Sequence, residues 1–290
     1  GAAAYAGIVA AAAKKREAAT VALAVPCTLA SFMVGQNGFL TAALLGGALL
    51  AMEKRPMLSG VLFGLLAYKP QFGILIPLAL AAGGQWRCFA AAAASVLIVN
   101  GAAVAAFGSD TLTAFFRVLP QTADALVSRG GVGWGKLQSL YGVLRWSGTP
   151  NAAAWTAQGL LMLALAMGIV RLWRSRISAA LKAATLAAAV PLATPYVFFY
   201  DLPVLAVAAA FLFRDRPFDR VEIAALGVAL SALVFYMVIA APFGFLAAAI
   251  VAAMTVRRYL ASTRAHSGEV ESGSPQKCAA TKKATVNYGS

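Results

Sequence analysis

Residues 88–107 read CFAAAAASVLIVNGAAVAAF, a stretch with no charged side chain. A straight helix needs about 20 apolar residues to cross the hydrocarbon core of a bilayer, and this stretch supplies them. Working outward, further apolar runs fall at roughly 1–13, 18–34, 38–52, 57–68, 72–83, 152–170, 183–194, 201–213, 221–239 and 244–256. Several are shorter than a straight span. Short segments interrupted by glycine or proline usually dip into protein or line a cavity. Composition agrees, since 61% of the 290 residues are hydrophobic and only 12% are charged. A soluble domain carries roughly 25% charged residues, so there is too little polar side chain here to cover a water-facing surface. Mean hydropathy is +0.78. The sequence predicts an all-α, polytopic integral membrane protein with about 10–11 spanning or partly spanning helices.

If each run crosses once, the turns alternate between two faces, and the 24 Lys and Arg residues divide unevenly between them. One face receives only Lys69, Arg117, Arg129, Lys136 and Arg145. All the others fall on the opposite face, from Lys14-Lys15-Arg16 to the basic C-terminal stretch beginning at Arg257. Positive charge in short loops marks the cytoplasmic side, so the C-terminus is expected inside a bacterial inner membrane. The same uneven division removes the nucleic-acid reading that a net charge of +14 would otherwise invite. The expected organisation is a multi-span domain over 1–261, with a long extracytoplasmic loop at 108–151, and a disordered cytoplasmic tail over 262–290 rich in Ser, Gly, Lys and Thr. The first run ends in basic residues rather than following them, which is the reverse of a signal peptide. It reads as the second half of a span whose first half precedes Gly1.

Inventory narrows the chemistry. The three cysteines, Cys27, Cys88 and Cys278, suggest no disulfide framework. His266, the single histidine, lies in the tail, which excludes a membrane-embedded Ser-His-Asp triad or a histidine-rich metal site.

Uncommon polar residues gather on the outer face: Gly35-Gln36-Asn37-Gly38, Lys69-Pro70-Gln71, the loop 108–151, and Thr194-Pro195-Tyr196 through Asp201. Lys69 reads either as a lysine snorkelling to the headgroups or, beside a helix-breaking proline and Gln71, as a clamp for an anionic group such as phosphate. Asn-Gly is a common turn, but a turn does not require Gln36. Asp201 begins an apolar run, where an acid is a functional hypothesis by default; an N-cap for a helix starting near Leu202-Pro203 and a salt bridge are its other readings. Phe115-Phe116-Arg117 through Leu126 has the pattern of an amphipathic helix on the membrane surface. The following Gly130-Gly131-Val132-Gly133-Trp134-Gly135-Lys136 lacks Walker A spacing. With Trp134, Lys136, Gln138 and Tyr141 it reads as a flexible loop able to close over a sugar or a phosphate.

Gly35-Gln36-Asn37-Gly38-Phe39-Leu40, Arg55-Pro56-Met57-Leu58-Ser59-Gly60 and Tyr68-Lys69-Pro70-Gln71, in this order, resemble bacterial glycosyltransferase family 87. Pro195-Tyr196 to Tyr200-Asp201-Leu202 looks like that family's later characteristic region. The resemblance covers roughly residues 18–215. It implies a GT-C-class enzyme similar to polyprenyl-phosphate-mannose-dependent mannosyltransferases. Such an enzyme moves a hexose from a lipid-phosphate donor to an extracytoplasmic lipid or glycan acceptor, with inversion. The site expected for that reaction holds Lys69 first and Lys136 second at the phosphate, with Gln36, Asn37, Gln71, Gln138 and Tyr200 at sugar hydroxyls or orienting neighbours. Asp201 would be a polar contact or a carboxylate supporting the residues that make contact. The family pattern also implies a catalytic aspartate in the first outer loop. Before Gly35 the only acid is Glu17, on the inner face, so the base is expected upstream of Gly1 and the chain as written is expected to be inactive alone. No cofactor is implied, and no outer carboxylate pair at ligand spacing marks a metal site. A multi-span transporter or lipid flippase, or a non-enzymatic membrane assembly subunit, would share the composition; neither accounts for the polar turns on one face.

Overall fold

The computed structural model describes residues 1–272. Each apolar run folds as helix: α1 (Ala2–Ala13), α2 (Glu17–Ala24), α3 (Pro26–Val34), α4 (Gly38–Ala51), α5 (Pro56–Leu65), α6 (Ile76–Ala82) and α7 (Trp86–Phe107). The long loop holds α8 (Ser109–Ala123) and α9 (Leu140–Trp146). The bundle then continues with α10 (Asn151–Arg174), α11 (Ala179–Leu192), α12 (Val204–Asp215), α13 (Arg220–Val238) and α14 (Phe243–Ser272). Among the described residues, β pairing is limited to one isolated antiparallel bridge between Leu137 and Phe198. The chain is an all-α, multi-pass membrane protein.

Length sorts the helices. Among the described residues, four are long and apolar enough to cross a bilayer: α7, α10, α13, and α14 over Phe243–Arg264. The run at 18–34 is not one straight span. It bends by 65° between α2 and α3, because Pro26 has no N–H to donate and pushes Val25 to an extended backbone (ψ 136°). The segment after α5 breaks for the same reason. Leu66–Tyr68 and Pro70–Gly73 form short 3-10 turns around Lys69, and α6 follows.

Burial sorts them differently. From Ala183 to Leu192 every residue of α11 is buried, whichever way it faces. A helix that is apolar all round belongs at the centre of a bundle, and its run of alanines lets neighbours approach closely. On α7, by contrast, Leu97, Ile98 and Phe107 are 73%, 70% and 75% exposed. Such a face is satisfied by lipid rather than by protein.

α8 realises the amphipathic helix predicted in the loop, starting earlier than expected and ending at Ala123, where a single π-helical turn takes over to Ser128. α14 runs on to Ser272, through Ser262 where a disordered tail was expected to begin. The remainder of that tail, 273–290, lies outside the described residues.

The basic end of the bundle is closed by a buried ion network. Arg258 on α14 is 2% exposed and faces Glu222 of α13, 1% exposed. Its Nε and Nη2 donate to the two carboxylate oxygens of Glu222, each at 2.8 Å. Nη1 donates to the Leu212 carbonyl and to Asp215 at 3.4 Å, and Nη2 also donates to the Arg216 carbonyl at 3.2 Å. A guanidinium has five N–H donors, and here all five are used. Beside it Asp219 caps α13 in a capping box with Glu222 and pairs with Arg257 at 2.7 Å. Arg258 belongs to the basic stretch that the sequence assigns to the inner face, and within it Arg258 is a buried structural cation.

Candidate functional site

At the opposite end, four connections far apart in sequence meet. The link from α11 to α12 is the centre. Its residues alternate: Val197, Phe199 and Asp201 are buried, whereas Tyr196, Phe198 and Tyr200 are half-exposed. The backbone is extended at Phe198 and then closes into a 3-10 turn over Phe199–Asp201, and the aromatic even positions come together on one side. Phe198 stacks on Tyr200 with ring centroids 5.2 Å apart, and Tyr196 meets Phe198 edge-on at 5.0 Å.

Lys69 reaches this link from the break between α5 and α6. Its ammonium forms a salt bridge with Oδ1 of Asp201, and it lies 5.6 Å from the Tyr200 ring centre and 5.8 Å from that of Phe72. Oδ2 of Asp201 accepts the Phe198 N–H at 3.1 Å. Asp201 is 2% exposed and Lys69 12%. The Asp201 carboxyl lies in the turn between α11 and α12. Burial raises it above the ordinary carboxylate range, against the opposing pull of Lys69 and the Phe198 amide. Asp201 therefore takes the salt-bridge reading. It does not N-cap α12, which starts at Val204 after Pro203. Lys69 does not snorkel to the headgroups either; it turns inward. An ammonium has three donors, and Asp201 takes one.

The corner between α3 and α4 packs on the same link. Ser31 Oγ donates to the Tyr200 carbonyl at 2.6 Å. Gly35 supplies the left-handed residue that ends α3 (φ 68°), whereas Gly38 serves a different need. A Cβ at 38 would lie 1.8 Å from the Tyr200 carbonyl oxygen, so only glycine lets the corner approach. Gln36 and Asn37 are exposed, with no side-chain hydrogen bond among the described residues. Asn37 precedes α4 without a side-chain cap. Gln71 is half-buried in the 3-10 turn next to Lys69.

The glycine-rich loop is folded rather than free. Trp134 Nε1 donates to the Val127 carbonyl at 3.0 Å, and the Arg145 guanidinium sits 4.2 Å above its ring. Tyr141 is fully buried and donates to Asn151 Oδ1 at 2.7 Å. With Val127, Leu137 and Ala154 it forms a small second core. Trp134 and Tyr141 thus both pack against the protein.

Gln138 is also fully buried. Its Nε2 donates to the carbonyls of Gly135 and Lys136 at 3.0 and 3.1 Å, and its Oε1 accepts the Gly244 N–H at 2.7 Å. Its own N–H donates to the Val197 carbonyl at 2.8 Å. One residue thereby ties the loop to the aromatic link and to the start of α14. Lys136 is exposed at the rim.

The sequence reading missed three contributors to this end. Tyr68 bonds Thr41 across α4, oxygen to oxygen at 2.7 Å; Ser31 holds the Tyr200 carbonyl. Tyr68 opens the motif that contains Lys69, Thr41 directly follows Leu40, and Ser31 stands four residues before Gly35, which was the available signal.

The sequence profile of Glycosyltransferase family 87 matches residues 1–195. No curated protein and no solved structure matches the chain. The match covers well over half of the chain and takes in the α3–α4 corner, Lys69, the loop and Gln138. The chain belongs to glycosyltransferase family 87.

Proposed function

Starting from that membership, we propose that the protein transfers a hexose, mannose being the first candidate, from a polyprenyl-phosphate donor to a lipid or glycan acceptor outside the cytoplasm. It would do so as a GT-C-type enzyme of a bacterial inner membrane, with the basic end of the bundle and its C-terminus in the cytoplasm. The uneven division of Lys and Arg supports this orientation.

The observation that carries the reading is the state of Lys69. It is a cation fixed in place by Asp201, with no second hydrogen-bond acceptor among the described residues, where four polar connections converge. In this transfer the acceptor hydroxyl attacks the anomeric carbon on the face opposite the carrier. The bond from sugar to phosphate oxygen breaks, a carboxylate base takes the hydroxyl proton, and negative charge grows on the leaving phosphate. A preorganised cation at that phosphate lowers the barrier, and Lys69 fits this role. Asp201 is buried and engaged twice, so it positions Lys69 rather than acting as the base.

Lys136 offers a second, exposed cation. Gln36, Asn37 and Gln71 have unengaged amides for sugar hydroxyls, and Tyr200 flanks the ammonium. Gln138, whose amide is fully engaged by backbone, holds the Lys136 turn in position.

The test is transfer from radiolabelled polyprenyl-phosphate mannose in membranes containing the protein expressed from its whole reading frame. Lys69→Ala is expected to lower turnover by ~100-fold or more. Wild-type turnover from that variant removes Lys69 from the site.

A further inference from the structure

We propose that Tyr68 is a positioning residue: through Thr41 it holds the Asn37 amide in register with the Lys69 ammonium, so that one ligand can touch both. This deepens the donor assignment above and rests on it. The starting observation is where the Tyr68 hydroxyl goes. A tyrosine at a membrane boundary usually keeps its hydroxyl at the wet, headgroup end. Tyr68 turns its own inward. Its ring is 40% exposed, whereas its hydroxyl lies 2.7 Å from that of Thr41, which is completely buried. Packing alone does not account for this, because a phenylalanine would fill the same place and only the hydroxyl reaches Thr41.

The direction of the bond follows from the proton count. The Thr41 hydroxyl donates to the Asn37 carbonyl at 3.2 Å, and a hydroxyl has a single proton to give. The Tyr68 O–H therefore donates to Thr41 Oγ1. Two bonds in series thus run from the residue next to Lys69 to the backbone of Asn37. The same carbonyl accepts the Thr41 N–H at 3.1 Å, so Thr41 holds it twice.

This chain closes a triangle. Ser31 ties the α3–α4 corner to the Tyr200 carbonyl at 2.6 Å, and Lys69 ties the α5–α6 break to Asp201 in the same link. With those two ties the corner and the break would each follow the link alone. Tyr68 and Thr41 supply the third side, from break to corner. Asn37 is held through its main chain only. Its side chain does not cap α4 and has no hydrogen bond among the described residues, so the amide is directed without being used up. A free amide in a frame that also fixes a cation suits a ligand with hydroxyls next to a phosphate, which a glycosyl phosphate has.

The experiment measures KM and turnover for polyprenyl-phosphate mannose in membranes containing the whole protein. In parallel it measures inhibition by polyprenyl phosphate, which carries the phosphate and no sugar. Tyr68→Phe keeps the ring and removes the hydroxyl. Its KM should rise about tenfold, the weight of one hydrogen bond, with turnover at saturating donor within about twofold of wild type. Inhibition by polyprenyl phosphate should not change. Thr41→Val should copy this pattern, and Thr41→Ser, which keeps the hydroxyl, should retain the wild-type KM. In an Asn37→Ala background Tyr68→Phe should add less than about twofold, because the side chain it acts through is gone. A wild-type KM for Tyr68→Phe, or full additivity with Asn37→Ala, overturns the proposal and leaves the donor assignment standing. Equal weakening of donor and polyprenyl phosphate also overturns it, since a general loosening of the fold moves both. If the wild-type protein does not transfer from this donor, the donor assignment fails and the positioning role fails with it.

Discussion

Two buried ion pairs sit at opposite ends of this bundle, and they are finished to different degrees. Arg258 at the basic end spends every donor on carboxylates and helix-end carbonyls. Lys69 at the other end spends one, on Asp201, and is then flanked by aromatic rings. A buried charge is tolerated when its hydrogen-bonding capacity is met within the protein. The first pair meets that condition and holds α12, α13 and α14 together. The second meets it only in part, and the unmet part is what a ligand could complete. Degree of completion, more than burial, separates the structural pair from the candidate functional one.

Arg258→Leu tests the first half of this contrast and should have the largest effect. It removes the two-pronged partner of buried Glu222 and leaves only Arg257 at 3.2 Å and Arg216 at 3.5 Å, at a cost of about 3 kcal/mol, read as loss of thermal stability in detergent. Stability close to wild type would show that those two flanking cations suffice, and the contrast would dissolve. The second half is tested by Lys69→Met combined with Asp201→Asn, which removes both charges together. Folded yield should hold, because no unpaired charge is created, while transfer drops by ~100-fold. A double variant that transfers normally would make the Lys69 pair a clamp of the same kind as the Arg258 pair.

Gly38→Ala probes the surroundings of the Lys69 pair. Its methyl group would meet the Tyr200 carbonyl oxygen and force the corner away, at about 1–3 kcal/mol, visible as a lowered melting temperature. An unchanged melting temperature would mean that the corner yields freely and does not position Tyr200. The smallest effect belongs to pH. The Asp219 carboxyl is held below its usual range, first by the Glu222 backbone N–H and then by the Arg257 guanidinium. A carboxyl depressed by folding adds stability above the ordinary carboxylate range and loses it as pH falls below about 4. Asp219→Asn should therefore flatten slightly the fall in thermal stability between about pH 5 and pH 3. An identical slope in both proteins would assign the acid sensitivity to other groups.

The helices were legible because apolar runs are a local property, and every run proposed from the sequence coincides with helix. Pro26 and Pro70 also announced breaks, although the bend at Pro26 was read through as continuous span. What local pattern could not give was partnership. Lys69 and Asp201 stand 132 residues apart, and nothing in either neighbourhood names the other. Arg258 was hidden among basic neighbours because one-dimensional charge counting cannot tell a buried guanidinium from a snorkelling one. Gln138 shows the same limit from the other side. A lone polar residue in a glycine-rich loop resembles a ligand contact until its three backbone partners are seen.

The bridge between Leu137 and Phe198, with the bond from the Gln138 N–H to the Val197 carbonyl, has a consequence for how such a protein can change. Both ties are made by main chain, so they are indifferent to which side chains the two segments carry. The long loop can exchange its exposed residues, Lys136 among them, while its registration against the aromatic link persists. Selection for a new acceptor could then act on the rim without having to rebuild the frame beneath it.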